Sequence, residues 1–202
     1  MDLLIGTSNP GKLNELREIL VGVPLSLLDL RAVGLAHMNV EETATTLEDN
    51  ARLKSEAYAQ ASGMVTLADD TGLYIDALGG QPGIYPARYG GPELTMADRR
   101  QKVLRELNGV PDAQRTARFV AVIAVTDPVG GETTIVRGEC PGHIAHEERL
   151  GEHGFGYDPI FVPQGYTLPF SLIAPDEKNR ISHRGRAAQL ILPILARLAA
   201  ER

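Results

Sequence analysis

The 202-residue chain has a single cysteine, Cys140, which excludes an internal disulfide. A chain without disulfides is typical of a reducing compartment, and we expect it in the cytoplasm. No apolar run approaches the roughly 20 residues that a membrane-spanning helix needs. The first residues, MDLLIG, predict a strand rather than a signal sequence. We therefore expect a soluble protein that has no membrane partner.

The chain also lacks an excess of positive charge. Its formal net charge is −6, whereas a protein that coats duplex nucleic acid needs a broad basic face. We therefore expect no nucleic-acid partner, although a few local lysines and arginines can still hold a small anionic substrate. No internal repeat or low-complexity segment is present, and the length suits one domain or two closely joined lobes.

Strand and helix patterns are mixed along the chain, which predicts an α/β or α+β class with a mixed sheet. The predicted strands are 3–6, 25–28, 64–68, 117–126 and 132–139, the last two forming a hairpin. The predicted helices are 12–20, 46–62, 96–107 and a last one from about Arg184 to the C-terminus. Thr46 and Thr95, each followed by an aspartate three residues later, match helix-capping patterns. Pro193 is expected to kink or interrupt the last helix.

Two adjacent aspartates, Asp69 and Asp70, follow the apolar run 64–68. A buried strand does not normally end in two carboxylates, because like charges repel and desolvation adds to the cost. A hard cation such as Mg²⁺ would relieve both costs. Asp-Asp-Thr-Gly is equally typical of a turn or a helix cap. The other polar clusters favour a functional site.

The turn over 7–11 joins a strand to a helix, a geometry that points backbone N–H groups at an anion. The Gly-x4-Gly-Lys spacing that starts at Gly6 nearly matches a Walker A loop. The next residue, however, is Leu13 instead of the Ser or Thr that would ligate Mg²⁺. Pro10 also removes one backbone N–H. The segment is a candidate phosphate cradle and a poor P-loop, with an ordinary Asn-Pro-Gly turn as the alternative.

Lys54 is predicted to lie on the apolar side of the helix 46–62 instead of its solvent side. The apolar stripe consists of Leu47, Ala51, Tyr58 and Ala61. Lys54 either extends its amine to solvent from this stripe or reaches a phosphate. Glu41 and Glu42 precede the helix and are either surface charges or metal ligands.

Two stretches rich in glycine and proline, 79–92 and 151–169, predict ordered functional loops rather than linkers. In the second stretch, Phe155 and Tyr157 are suited to stacking on a flat base. Farther along, His183 and Arg184 are predicted in the first turn of the last helix. Cations there oppose the helix dipole, so we expect them to face an anion or a hydrogen-bonding base.

Six motifs, in this order, resemble the inosine triphosphate pyrophosphatase (Ham1-type) family: TSNPGK, EETATTLEDNA, LADDTGL, LGGQPGIYPARY, GFGYDPIF and EKNRISHRGRA. The resemblance extends from Leu3 to about Leu195. It implies an ITPase-like α/β fold of two lobes, with a long mixed β-sheet flanked by helices and a cleft between the lobes. It implies a single domain over 1–202 without a separable linker, and a homodimer.

The same resemblance implies a house-cleaning enzyme, a dITP/XTP pyrophosphatase of the bacterial type. Such an enzyme hydrolyses dITP, ITP and XTP to the monophosphate and pyrophosphate in a Mg²⁺-dependent reaction, which removes non-standard purine nucleotides from the pool. Asp70 matches the catalytic proton acceptor beside the metal, and Glu42, or else its neighbour Glu41, matches a second metal contact. Asp69 matches a companion acid whose role stays open.

The remaining matched positions are substrate contacts. They are Thr7, Ser8, Asn9, Pro10, Gly11, Lys12, Thr71, Phe155, Gly156, Tyr157, Asp158, Lys178, His183 and Arg184. To this set the chemistry of phosphoryl transfer adds Lys54, which with Lys12 would offset charge on the phosphate oxygens. Direct attack by water is the simplest mechanism that these residues allow.

The hydrogen-bonding groups of the bases also predict which nucleotides are preferred as substrates. Donors such as His183, Arg184 or backbone amides would favour the 6-oxo group of hypoxanthine and xanthine. An unpaired guanine 2-amino group would be costly. We therefore expect ITP, dITP and XTP to be better substrates than GTP and ATP. Three alternatives stay open: a nucleotide-binding or sensing module without turnover, a P-loop NTPase that cleaves the γ-phosphate, and a pyrophosphatase for pyrimidine or modified nucleotides.

Overall fold

The computed structural model describes residues 1–200, which form a mixed α/β fold. The strands are β1 (Asp2–Ile5), β2 (Ser26–Asp29), β3 (Thr66–Ile75), β4 (Pro82–Gly83), β5 (Thr116–Thr126), β6 (Thr133–Ile144) and β7 (Phe161–Pro163). The helices are α1 (Pro10–Ile19), α2 (Leu47–Ser62), α3 (Met96–Glu106), α4 (Pro175–Ile181) and α5 (His183–Ala200). None of these helices has both the length and the apolar character required to cross a membrane.

The strands form one mixed sheet in the order β2-β1-β3-β5-β6-β7, and β4 pairs with β3. β1 is parallel to β2 and β3, whereas β4 is antiparallel to β3 and β7 is antiparallel to β6. Ile5, the last residue of β1, lies opposite Leu67 of β3. The turn that follows β1 therefore begins beside the part of β3 that carries Asp69 and Asp70. Carboxyl ends of parallel strands are where α/β sheets bind ligands.

The described residues form two compact units. The first consists of Met1–Asp70, Ala121–Gly138 and the described residues from Arg184 onward. The second consists of Thr71–Val120 and Glu139–His183.

In the first unit, the last three residues of β1 are all buried. Since successive side chains of a strand point to opposite faces, both faces of β1 are buried. Leu3 and Ile5 pack in one cluster together with α5, whose buried residues Ala187, Ala188, Ile191 and Leu195 recur at helical spacing. On the opposite face, Leu4 packs with Tyr58 of α2. The start of α1 is thus attached to a strand that is fixed from both sides.

The second unit has its own core, built around three phenylalanines. The ring centroids of Phe119 and Phe161 are 4.6 Å apart, and those of Phe161 and Phe170 are 5.3 Å apart. Val103 and Leu107 pack against the same cluster from α3 and the residue that follows it. This core supports the glycine-rich segment that contains Phe155.

β3 differs most from the sequence prediction, which also did not include the short strands β4 and β7 or the helix α4. The run 64–68 was expected to end at the aspartates, but β3 continues through Asp69 and Asp70 to Ile75. The turn or cap interpretation of Asp-Asp-Thr-Gly is therefore wrong. The residues after it, Leu73 and Ile75, are buried in the core of the second unit and keep the chain extended. The predicted hairpin strands are also present, and β6 extends beyond 139 to Ile144.

The predicted helices are present with small shifts. α1 begins at Pro10, because proline suits the first helical turn, where its missing N–H is not needed. Lys54 is buried as expected, but Ala59 completes the buried stripe of α2 and Ala61 is exposed. Pro193 lies inside α5 and does not interrupt it. The last helix reaches Ala200, and the predicted continuation over 201–202 lies outside the described residues.

Candidate active site

The start of α1 is organised by the side chain of Asn9. Its Oδ1 accepts hydrogen bonds from the backbone N–H groups of Gly11 at 2.9 Å and Lys12 at 3.2 Å, so Asn9 caps the helix. Thr7 Oγ1 in turn accepts from Asn9 N at 3.2 Å, while Ser8 is exposed. The two helix-end amides are therefore occupied by Asn9. The hydroxyls of Thr7 and Ser8 are among the donors of this turn that can meet a phosphate.

Gly6 precedes this turn and permits close packing. A Cβ atom on Gly6 would lie 2.8 Å from Cδ2 of Tyr58 and 3.3 Å from Cγ2 of Thr66. These distances are shorter than ordinary van der Waals contact. The absence of a side chain at Gly6 thus sets how closely the turn approaches α2 and β3.

Asp69 is buried among cations. Its Oδ2 accepts from Arg184 Nε at 3.1 Å and Nη2 at 2.9 Å, and lies 3.2 Å from Lys12 Nζ. Burial alone would raise the pKa of Asp69, but Lys12 and Arg184 outweigh it and hold that pKa well below its usual range. Burial also lowers the pKa of Lys12, and Asp69 partly offsets this effect. Asp69 therefore stays ionised and holds the amine of Lys12 in place.

Asp70 is 5% exposed and pairs with a different lysine. Lys54 Nζ lies 2.8 Å from Asp70 Oδ1 and 2.8 Å from Glu42 Oε1, and so joins the two carboxylates. Burial raises the pKa of Asp70, and Lys54 and Lys12 offset only part of this effect. Burial lowers the pKa of Lys54, but the negative charge of Asp70, Asp69 and Glu42 outweighs it and raises that pKa. Lys54 is thus charged.

Of the two neighbouring glutamates, Glu42 contacts this cluster and Glu41 is exposed. Asp70 Oδ2 is buried and has no hydrogen-bond partner within residues 1–200. Two carboxylates, one with an oxygen to spare, suit Mg²⁺, which commonly takes one or two protein carboxylates and completes its shell with phosphates and water. No group of three or more His, Cys, Asp or Glu that could hold a metal occurs within 1–200. The residues that could hold Mg²⁺ are therefore Asp70 and Glu42.

In the second unit, the segment Gly154–Asp158 is closed by the side chain of Asp158. Asp158 Oδ2 accepts from Phe155 N at 2.7 Å and from Lys178 Nζ at 2.6 Å. Lys178 Nζ also lies 5.2 Å from the centroid of the Phe155 ring, within cation–π range. Gly154 has φ +85°, and a Cβ there would lie 2.7 Å from Asp158 Oδ2. Asp158 and Lys178 thus shape the loop that presents Phe155 and Gly156.

Three predicted substrate contacts lie in or beside the core of the second unit. Tyr157 is 3% exposed, and its hydroxyl donates to the carbonyl oxygen of Pro86 at 2.9 Å. His183 is 4% exposed and stacks on Phe119, with ring centroids 4.6 Å apart. Thr71 is half-buried in β3. The side chain of Tyr157 is therefore engaged inside the unit, away from solvent.

Arg184 differs most from its predicted surroundings. We expected it to face an anionic or hydrogen-bonding substrate group, but its side chain is 1% exposed and its guanidinium binds Asp69 and Glu15. The anions that balance this cation at the start of α5 are thus carboxylates of the protein. Sequence analysis missed Glu15, although its position on α1, three residues after Lys12, indicates that both lie on one face of the helix.

The structure brings the predicted residues together in two groups. The first unit joins Lys12, Glu42, Lys54, Asp69, Asp70 and Arg184 through direct ion pairs. The second unit joins Phe155, Asp158 and Lys178.

Comparison with known proteins points to one family. A model described as the Ham1 family matches residues 3–194. A protein of Bacillus subtilis (strain 168) named dITP/XTP pyrophosphatase is 44% identical over 194 residues, which cover 96% of each chain. A protein of the same name from Oceanobacillus iheyensis is 42% identical over 185 residues, covering 92% of this chain and 93% of the relative. The solved structure of a HAM1 protein from Coxiella burnetii superposes with a TM-score of 0.85 at 36% identity, and covers 98% of this chain and 99% of that one.

Proposed function

The chain belongs to the Ham1 family, and on this premise we infer that it hydrolyses non-standard purine nucleoside triphosphates such as dITP and XTP to the monophosphate and pyrophosphate. The names of its relatives support this substrate class. The observation that carries the chemistry is the buried carboxylate of Asp70, held by Lys54 beside Glu42. A module that only bound nucleotides would not need the carboxylates of Asp70 and Glu42 paired on one lysine.

We assign binding of the substrate's phosphates to residues of the first unit. Lys12 and Lys54 supply positive charge for the phosphate oxygens, and the hydroxyls of Thr7 and Ser8 supply neutral donors. Asp70 takes the proton of the attacking water, because its burial makes it a stronger proton acceptor than an exposed carboxylate. Asp69 keeps Lys12 in position and does not need to titrate.

Mg²⁺ is proposed as the cofactor, held by Asp70 and Glu42 together with the substrate. When bound, it would neutralise charge on the phosphates and lower the barrier to attack by water. The protein's own part is to hold the two carboxylates together, Asp70 on β3 and Glu42 in the segment that precedes α2. Lys54 keeps the two negative charges together before substrate arrives.

The second unit is assigned the purine. Phe155 offers a ring for stacking, and Gly156, with φ +62° and open space at its Cβ position, exposes backbone to a flat base. Lys178 and Asp158 hold this loop. His183, whose ring stacks on Phe119, is the candidate donor to the 6-oxo group of the purine. Residence in the cytoplasm remains a prediction from the single cysteine, and a homodimer remains a prediction of the resemblance.

The reaction is tested by measuring pyrophosphate and orthophosphate release from dITP, XTP, dGTP and ATP, with and without Mg²⁺. We expect metal-dependent pyrophosphate from dITP and XTP, and little from dGTP or ATP. Orthophosphate as the product would favour a γ-phosphate hydrolase. Tight nucleotide binding without product would favour a binding module.

The matched control is Asp70→Asn, which keeps the size of the side chain and removes its charge. Turnover should fall by about 10²-fold or more, the lower range for loss of a general base, while binding of dIMP measured by calorimetry stays within a few-fold. Activity close to wild type in this variant would remove Asp70 from the role of base.

A further inference from the structure

Arg100, on α3, contacts the backbone of the loop that contains Phe155. Its Nη1 donates to the carbonyl oxygen of Gly156 at 2.8 Å. Its Nε donates to Glu148 Oε1 at 2.7 Å, and its Nη2 lies 2.5 Å from the same oxygen. The side chains of Arg100 and Glu148 are only 11% and 15% exposed. A largely buried guanidinium is thus held by one carboxylate and directed at one loop carbonyl.

The loop needs such a contact because its own backbone is permissive. Gly154 and Gly156 have positive φ angles of +85° and +62°. Glycine adopts positive and negative φ angles about equally readily, so these two residues do not by themselves hold the loop in one conformation. The Asp158 side chain fixes one end of the loop through Phe155 N. Arg100 fixes the middle of the loop by a hydrogen bond to a backbone acceptor, the carbonyl oxygen of Gly156.

Glu148 is itself oriented from α3. Its Oε2 accepts from Gln101 Nε2 at 2.9 Å, while Oε1 accepts from Arg100. Consecutive residues of one helix therefore hold both carboxylate oxygens. This arrangement fixes the plane of the guanidinium, and charge-assisted bonds of this kind are stronger than neutral ones and carry geometric specificity.

We propose that Arg100, held by Glu148, is a positioning residue that sets the backbone of the Phe155–Asp158 loop for the purine of the substrate. This inference rests on the proposed function, in which that loop binds the purine. Arg100 acts through the Gly156 carbonyl and does not touch the substrate. Its loss leaves Phe155 and Gly156 present but free to adopt other loop conformations, so the purine binds less tightly.

The test compares steady-state kinetics of wild type and Arg100→Ala with dITP. We expect KM to rise about tenfold, equivalent to about 1.4 kcal/mol, with kcat within about twofold. The purine is remote from the reacting phosphorus, so its contacts contribute equally to substrate and transition state. Inhibition by dIMP should weaken about tenfold as well, whereas inhibition by pyrophosphate, which reports the phosphate site, should not change.

Three further variants are matched to this one. Arg105→Ala removes an exposed arginine from the same helix and should leave KM unchanged. Arg100→Lys keeps the charge and should recover part of the affinity for dITP. Glu148→Gln keeps the side-chain shape and weakens the hold on Arg100, so KM should rise about threefold, the effect of a partly weakened hydrogen bond. This last variant carries the test if Arg100→Ala does not fold.

A fall in kcat with unchanged KM, equal weakening of dIMP and pyrophosphate inhibition, or wild-type KM in both Arg100→Ala and Glu148→Gln would each overturn the positioning role. The activity of the wild type distinguishes a wrong role for Arg100 from a failure of the proposed function. If wild type releases pyrophosphate from dITP and the variants match it, only the role of Arg100 is wrong. If wild type releases none, both proposals fail.

Discussion

Asp69 and Asp70 are neighbours in sequence and differ in what surrounds them. Consecutive side chains of a strand point to opposite faces, so Asp69 meets Arg184 and Lys12 while Asp70 meets Lys54. Burial raises the pKa of both carboxyls. The neighbouring cations outweigh this effect at Asp69 and offset only part of it at Asp70, so the pKa of Asp69 is lowered and that of Asp70 is raised. One aspartate is a fixed anion of the scaffold, and the other is suited to accept a proton.

Arg184 should contribute strongly to folding stability. Arg184→Met keeps much of the side-chain volume but leaves the buried carboxylates of Asp69 and Glu15 without this cation. Breaking a buried ion pair by removing one partner costs about 3–5 kcal/mol. We expect a loss of this size in the free energy of unfolding, measured with urea.

The control for this prediction is Arg31→Ala, which removes an exposed arginine after β2. Exposed substitutions usually change stability by about 0.5 kcal/mol or less. If Arg184→Met and Arg31→Ala had similar unfolding free energies, the buried ion pairs would contribute little to the stability of the fold.

The buried position of Lys54 on its helix was easier to predict than the partners of the charged residues. Helical phase alone placed Lys54 on the buried side of α2, and its burial is confirmed. Its partner Asp70 is 16 positions away, and Arg184 is 115 positions from Asp69. Such pairs depend on how strands and helices pack, which local patterns do not specify. For that reason the sequence suggested a substrate anion for Arg184, where the structure has Asp69 and Glu15.

At the scale of elements, the starts of α2 and α3 were predicted correctly because their capping signals are local. The Thr95 and Asp98 pair forms a complete capping box, and Thr46 caps α2 through Asp49 N. The length of β3 could not be predicted from local signals. Asp-Asp-Thr-Gly matches turn chemistry, whereas burial of Leu73 and Ile75 keeps the strand extended. The order of strands in the sheet likewise depends on long-range packing.

The capping box at the start of α3 gives a prediction for this element. Thr95 Oγ1 accepts from Asp98 N at 3.2 Å, and Asp98 Oδ2 accepts from Thr95 N at 3.0 Å. Thr95→Ala removes the first of these bonds and should destabilise the protein by about 1 kcal/mol. Thr95→Ser keeps the hydroxyl and should stay close to wild type. Thermal or urea unfolding of both variants provides the measurement, and equal stability of Ala and Ser would show that the cap contributes nothing.

At the scale of the whole molecule, stability should depend on carboxylates that lose their charge in acid. The carboxylates whose pKa values are lowered include Asp29, Asp69, Asp98, Glu106, Asp112 and Glu177. A lowered pKa means that the folded protein binds fewer protons than the unfolded chain at acidic pH. The stability that these groups add is therefore present above their ordinary values, near 4, and is lost as pH falls below them.

Glu177 isolates one part of this whole-molecule effect. Hydrogen bonds from Arg180, and then from the hydroxyl of Tyr166, lower the pKa of Glu177 to about 2. Glu177→Gln removes the titrating group, so its unfolding free energy in urea should be lower than that of wild type at pH 6. The difference should narrow between pH 4.5 and pH 2, because wild type loses the contribution of the charged carboxylate in that window. A difference that stays constant from pH 6 to pH 2 would mean that Glu177 stabilises the fold by contacts independent of its charge.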